Sequence, residues 1–279
     1  MPAAGPDLTG QVVGISIRPV AEGGMGNVYH GTWRDRTKTP SVLALKFFRG
    51  AHLPKKRQTV ERRLAREAGV WASLRHSNIL SFYGTITGIE PYPEARAMIS
   101  PWLSNGHIMD YITQHPGVNR AMLVAQVARG MEYLHHKRVV HGDFRGHNIL
   151  IDKDGNAVIS DFGRANIIDD EDYSTQLIAK AAWTAPELLI YEGPVPISFA
   201  TDIWALGITV IEIFIGKMPW DKLKPAQIIV ATLSGKQPRH TDFPQVPPLH
   251  WKALAGCWDE SPATRPTAIM MRERLARFS

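Results

Sequence analysis

From Gln11 to about Phe48, apolar and β-branched residues alternate with polar ones, the two-residue period of strands that bury one face. Glycines gather inside this stretch at Gly23-Gly24-Met25-Gly26, so two of the strands are expected to meet in a flexible hairpin. The period then lengthens. Between Lys55 and Leu74, Val60, Leu64, Ala68 and Trp71 recur at helical intervals, predicting one helix on that sheet which ends near Arg75-His76-Ser77-Asn78. Two more strands are expected near Ile79 to Thr87 and Ala95 to Ser100, divided by the loop Glu90-Pro91-Tyr92-Pro93.

Past Gly106 the pattern turns helical. Helices are predicted over Ile108 to Gln114 and over Arg120 to His136, where Leu123, Val127, Met131 and Leu134 repeat every three or four residues. Further helices are expected at Phe199 to Gly216, Pro225 to Leu233, Leu249 to Trp258 and Thr267 to Ala276. Strands first and helices afterwards predict an α+β fold: a tail over residues 1–11, a small lobe over 12–103 ending at Pro101-Trp102-Leu103, and a larger lobe over 104–279, with a cleft between them.

The composition narrows the function. In 279 residues, 44% apolar and 21% charged content is ordinary for a packed globular protein, and no repeat or low-complexity tract appears. A net charge of +6 raises the question of nucleic acid, but Lys and Arg are scattered apart from Lys55-Lys56-Arg57 and Arg62-Arg63, which read as a solvated helix face; no nucleic-acid partner is expected. The single cysteine, Cys257, excludes an intrachain disulfide and is expected to be a buried structural thiol. Residues Met1 to Asp7 lack the basic start and apolar stretch of a secretory signal, so a cytoplasmic location is expected, with a nuclear one compatible. The apolar run from Phe199 to Gly216 carries Asp202 and Glu212, costly in lipid, and reads as a buried helix rather than a membrane span.

Candidate chemistry concentrates in Val140-His141-Gly142-Asp143-Phe144-Arg145-Gly146-His147-Asn148-Ile149-Leu150 and in Asp161-Phe162-Gly163. An Asp, an Asn five residues later and a second Asp beyond a short hairpin put one base and two metal ligands on neighbouring loops, the equipment of phosphoryl transfer from ATP. With Thr184-Ala185-Pro186-Glu187 in the same order and spacing, these segments resemble the protein kinase superfamily. The likeness spans residues 12 to 278 or so and implies a bilobal fold, with a mainly β N-lobe, a mainly α C-lobe and ATP in the cleft.

The resemblance assigns roles. Asp143 is the expected catalytic base; Asn148 and Asp161 are expected to bind magnesium or manganese, hard cations that prefer oxygen ligands. Ala21-Glu22-Gly23-Gly24-Met25-Gly26-Asn27-Val28 is similar to the glycine-rich phosphate loop, with Ala21 in place of its first glycine; alone, such a hairpin reads equally well as a plain turn. Val42-Leu43-Ala44-Leu45-Lys46 resembles the strand whose lysine holds the α and β phosphates. Glu67, nine residues before His76, falls at the place of its helix partner, with Glu61 the competitor on the same helix. The likeness also implies an adenine pocket with Val28 and Ala44 above, Leu150 below, and a hinge at Pro101 and Leu103, where only the Pro101 carbonyl and the Leu103 N–H are used. Ser100 gates the rear of that pocket.

Departures from the family pattern carry information. Gly142 replaces the arginine before the base, which removes a cation that answers activation-loop phosphate, so control by modification of Tyr173, Ser174 or Thr175 is expected to be weak. Asp169, Asp170, Glu171 and Asp172 already supply negative charge there, and constitutive activity or control by a regulatory protein partner is expected. Arg145 stands where serine/threonine kinases carry lysine and is expected to offset charge on the transferred phosphoryl group. Trp183 looks like the tyrosine-kinase tryptophan, whereas Lys180 matches neither the threonine of one class nor the proline of the other, so the substrate hydroxyl is open. The segment Cys257 to Thr267 resembles the closing signature of tyrosine kinases and the tyrosine-kinase-like group, with Arg265 expected to pair with Glu187. Trp71, Phe82, His141 and Phe162 match the stacked residues linking the lobes of active kinases, or equally ordinary core. The expected function is transfer of the ATP γ-phosphate to a protein Ser/Thr or Tyr hydroxyl; the alternatives are a pseudokinase acting as an ATP-binding or scaffold module, and a small-molecule kinase, which the Ala185-Pro186-Glu187 and Arg265 segments disfavour.

Overall fold

A computed structural model describes residues 5–22, 26–35, 37–38, 41–51, 53–90, 92–162, 180–190 and 197–278. Gly23, Gly24, Gly163 and the stretch from Asp169 to Thr175 lie outside the described residues. The chain divides into two compact units, residues 1–104 and 105–279.

The first unit is built on an antiparallel sheet. Its strands are β1 (Val12–Val13), β2 (Ala21–Glu22), β3 (Gly26–Trp33), β4 (Val42–Phe48), β5 (Gly84–Ile86) and β6 (Ala97–Pro101). They lie in the order β1-β3-β4-β6-β5, with β2 also on β3. In β4 the buried Leu43, Leu45 and Phe47 alternate with half-buried Val42, Ala44 and Lys46, the period that strand geometry imposes. Helix α1 (Arg57–Ala72) buries Val60, Leu64, Glu67, Ala68 and Trp71 as one stripe. It starts later than expected because Pro54–Lys56 forms a 3-10 turn, a place where proline is tolerated.

Two expectations are corrected here. The strand predicted over Ile79 to Thr87 pairs only as β5, because the Leu80 carbonyl is taken by the Trp71 indole N–H at 2.6 Å rather than by a neighbouring strand. The residues predicted to be a tail join the sheet edge: Thr85 N–H donates to the Pro6 carbonyl and Leu8 N–H to the Thr85 carbonyl, at 2.9 and 2.8 Å. Gly84 permits this, since a Cβ there would stand 2.2 Å from the Pro6 carbonyl oxygen.

The second unit is mainly helical: α2 (Ile108–Gln114), α3 (Arg120–His136), α4 (Phe199–Ile215), α5 (Pro225–Leu233), α6 (Pro248–Ala253) and α7 (Ala268–Ala276), with a hairpin of β7 (Ile149–Ile151) and β8 (Ala157–Ile159). Helix α4 is its core. Leu206, Ile208, Val210, Ile211 and Ile213 are fully buried around it, and among the described residues no helix is long and apolar enough to cross a membrane. A capping box between Ser198 and Thr201 starts α4, and Gly216, at φ +76°, ends it. The Arg120 guanidinium donates to the carbonyls of Ile213 and Phe214, which would otherwise lack partners at that end. The helix predicted over Leu249 to Trp258 is shorter, and Gly256, in the left-handed region at φ +84°, turns the chain instead. A sheet with one long helix in one unit and helices in the other make the fold α+β.

Candidate active site

Strand register decides which side chains of the first unit share a face, because residues directly opposite one another point the same way. Val28 pairs with Lys46 and with Ala21, while Ala44 pairs with His30 and with Ser100. Ala21, Val28, Ala44, Lys46 and Ser100 therefore line one face of the sheet, and Pro101 follows opposite Leu43. His30, not singled out by sequence, stands edge-on to the Trp102 ring at 4.2 Å, and Leu103 is half-buried beyond it. Gly26 is needed for contact rather than flexibility: a Cβ there would lie 2.0 Å from the Phe47 carbonyl oxygen. The Lys46 ammonium meets Glu67 Oε1 at 3.0 Å, with side-chain exposures of 17% and 0%. Glu61, the competitor, instead lies 3.9 Å from Arg96.

In the second unit, hydrogen bonds fix the loop from His141 to Asn148. Asp202 of α4 accepts the N–H groups of His141 and Gly142 at 2.8 and 2.9 Å, and the His135 ring at 3.0 Å. Asp143 N–H donates to His141 Nδ1 at 3.2 Å, which puts the ring proton on Nε2, where it reaches the Ser160 carbonyl at 3.0 Å. The Asn148 side-chain amide donates to the Asp143 carbonyl at 2.7 Å, and the Asn148 backbone carbonyl accepts Ser160 N–H at 2.8 Å. Asp143 and Asn148 are thereby tied to one another, and Ser160, the neighbour of Asp161, is tied to Asn148 at the open end of the β7–β8 hairpin, with Leu150 half-buried in β7. Asp161 adopts φ +62°, a left-handed conformation that costs a non-glycine residue about 1 kcal/mol and is characteristic of functional loops. Phe162 is buried 5.7 Å from the His141 ring, and Trp71 lies 5.1 Å from Phe82 in the first unit.

Asn148, immediately before β7, and Asp161, two residues after β8, carry hard oxygen donors of the kind that magnesium or manganese prefers. No cluster of three or more His, Cys, Asp or Glu that would hold a metal occurs among the described residues.

The Asp143 carboxylate meets the Lys180 ammonium at 2.5 Å through Oδ2, and Arg145 Nε stands 3.7 Å from Oδ1. The Arg145 guanidinium lies over the Trp183 ring at 6.0 Å. The Trp183 indole and the Gly146 N–H both donate to Glu212 Oε2, at 3.1 and 2.9 Å. Burial pushes the Glu212 carboxyl up to about 7, against the opposing pull of these donors and of Arg145. Arg265 donates to Glu187 through two nitrogens at 2.7 and 2.8 Å, and also to the Ala200 and Asp259 carbonyls. Cys257 is buried, and desolvation raises its thiol to about 12, so it is an inert thiol.

The profile described as protein tyrosine and serine/threonine kinase matches residues 15–275. The chain belongs to this protein kinase family. It is 28% identical over 272 residues to tyrosine-protein kinase Src64B of Drosophila melanogaster, a match covering 94% of this chain and 46% of that protein. It is 30% identical over 266 residues to mitogen-activated protein kinase kinase kinase 5 of Arabidopsis thaliana, covering 91% and 35%. With tyrosine-protein kinase SRK2 of Spongilla lacustris the figures are 29% over 270 residues, 94% and 69%. The chain thus spans about half or less of the first two relatives. The kinase match takes in both units. Asp202, Glu212 and His135, which organise the loop, were not picked out from sequence as site residues; two carboxylates inside an otherwise apolar helix were the available signal, since such groups are buried only against polar partners.

Proposed function

We propose that this chain is an active, ATP-dependent protein kinase that transfers the γ-phosphate of ATP to a Ser/Thr or Tyr hydroxyl of a protein substrate. The observation that carries the proposal is the bonded loop that joins Asp143 to Asn148, and Asn148 to Ser160 next to Asp161. Asp143 accepts the proton of the attacking hydroxyl, Lys46, steadied by Glu67, holds phosphate oxygens, and Arg145 offsets charge on the transferred group. Asn148 and Asp161 would hold magnesium or manganese, which neutralises phosphate charge when bound. Ala21, Gly23, Gly26, Val28, Ala44, Pro101, Leu103 and Leu150 are assigned to ATP.

The closing segment and Trp183 favour the tyrosine-kinase-like group, and Gly142 makes it a variant without the arginine before the base. Relatives named as tyrosine kinases and as a mitogen-activated protein kinase kinase kinase stand at similar identity, which leaves the hydroxyl class to experiment. Activity without activation-loop phosphate, or under a regulatory protein, and a cytoplasmic location complete the proposal. The test is transfer of labelled γ-phosphate from ATP and magnesium to the protein itself and to a peptide pool, with phosphoamino-acid analysis and an Asp143→Asn control. Transfer that the control abolishes is expected. Bound nucleotide with transfer no greater than the control's would make the chain a pseudokinase scaffold instead.

A further inference from the structure

We propose that Lys180 is a positioning residue of the transfer reaction, holding the Asp143 carboxylate in the rotation that receives the substrate proton; this rests on the kinase activity proposed above. Lys180 is the first described residue after 162, and its backbone is pinned, since its carbonyl accepts Trp183 N–H at 2.9 Å and the Thr184 hydroxyl at 3.0 Å. From that fixed base its side chain, 15% exposed, reaches Asp143 Oδ2 with the ammonium at 2.5 Å. Arg145, which the sequence pattern offered for this region, comes no closer than 3.7 Å to the same carboxylate and packs over Trp183. Of these two cations Lys180 is the one within hydrogen-bond distance of the base, although it stands at a position where the family pattern carries threonine or proline. A carboxylate has room for about four donors, so Lys180 on Oδ2 orients the group without excluding a substrate hydroxyl.

In the step itself, the acceptor oxygen forms a bond to the γ-phosphorus and the bond to the β-phosphate oxygen breaks. ADP leaves, and the hydroxyl proton passes to Asp143. Fixing the carboxylate acts on this step and not on nucleotide affinity, which gives the proposal its signature.

Lys180→Met should lower kcat on the order of 10- to 100-fold, the kinetic weight of one hydrogen bond to a charged group, while KM for ATP stays within about twofold. Lys180→Arg should recover part of the loss. A Lys180→Met enzyme whose kcat equals or exceeds that of the parent overturns the proposal, as does a change carried by KM alone. Separately, acetylation of lysine amines followed by mass spectrometry reads the contact without turnover: Lys180 should react slowly in the parent and several-fold faster in Asp143→Ala, with exposed Lys236 as reference. Equal rates in the two proteins overturn the pairing. A parent protein that transfers no phosphate refutes the kinase activity and leaves the pairing to be judged by the labelling alone.

Discussion

Glu212 makes the stability of this protein depend on pH in an unusual direction. The carboxyl is buried on α4, accepts Gly146 N–H and the Trp183 indole, and titrates near 7 instead of 4.5 because ionising it in that setting is costly. Below the unfolded value of 4.5 both states are protonated and the group is neutral to stability. Between 4.5 and 7 the folded state keeps its proton while the unfolded chain has lost it, so stability falls as pH rises, and above 7 the full cost is present. At about 1.4 kcal/mol per pH unit, the interval from 4.5 to about 7 amounts to roughly 3 kcal/mol. Glu212→Gln retains a carbonyl for both donors and cannot ionise. Urea unfolding of parent and variant at pH 5, 6, 7 and 8 should show the variant gaining about 2.5 kcal/mol relative to the parent from the acid to the alkaline end, part of the interval lying below pH 5; the subtraction cancels every other titrating group. A difference that stays flat, or that narrows with rising pH, would refute the reasoning.

Three further outcomes are expected. Arg265→Met leaves Glu187 without its two-pronged partner and frees the Ala200 and Asp259 carbonyls, and should cost about 3–5 kcal/mol in urea unfolding; a loss below 1 kcal/mol would contradict the weight given to this pair. Ser100→Phe fills the sheet face opposite Ala44 and should abolish binding of bulky ATP-competitive compounds in calorimetry; unchanged affinity would show that this face does not take nucleotide. Gly26→Ala forces β3 from β4 at the Phe47 carbonyl and should destabilise the protein by about 1–3 kcal/mol or more, a melting curve like the parent's counting against the close approach.

What could be read in advance was whatever has a period or a fixed spacing. The spans of α2, α3 and α5 follow from helical intervals of apolar residues, and Lys46 with Glu67 from strand alternation joined to motif spacing. What escaped depends on groups brought together by tertiary packing. No local pattern announces that the Trp71 indole takes the Leu80 carbonyl and cuts a strand short, or that Gly84 admits the Pro6 carbonyl to the sheet edge. Lys180 reaching Asp143, thirty-seven residues away in the chain, is of the same kind; the sequence marked Lys180 as unusual but not what it touches.

Gly142 has a structural role that its place in the family pattern does not announce. By sequence it stands where the family pattern carries an arginine. In the structure it adopts φ +73°, a conformation glycine accepts freely, and its N–H and that of His141 are both held by Asp202. The loop that presents Asp143 is therefore anchored from α4 beneath it, and the side chain at position 142 is dispensable for its shape. Gly142→Arg should then cost the left-handed penalty, about 1–2 kcal/mol or more, and leave phosphate transfer within a few-fold of the parent. Asp202→Asn, which replaces an acceptor by an amide facing two backbone N–H groups, should cost more, about 2–4 kcal/mol, and depress transfer far further. Parallel unfolding and transfer measurements on the two variants decide the matter, because a loop anchored by residue 142 would reverse the order.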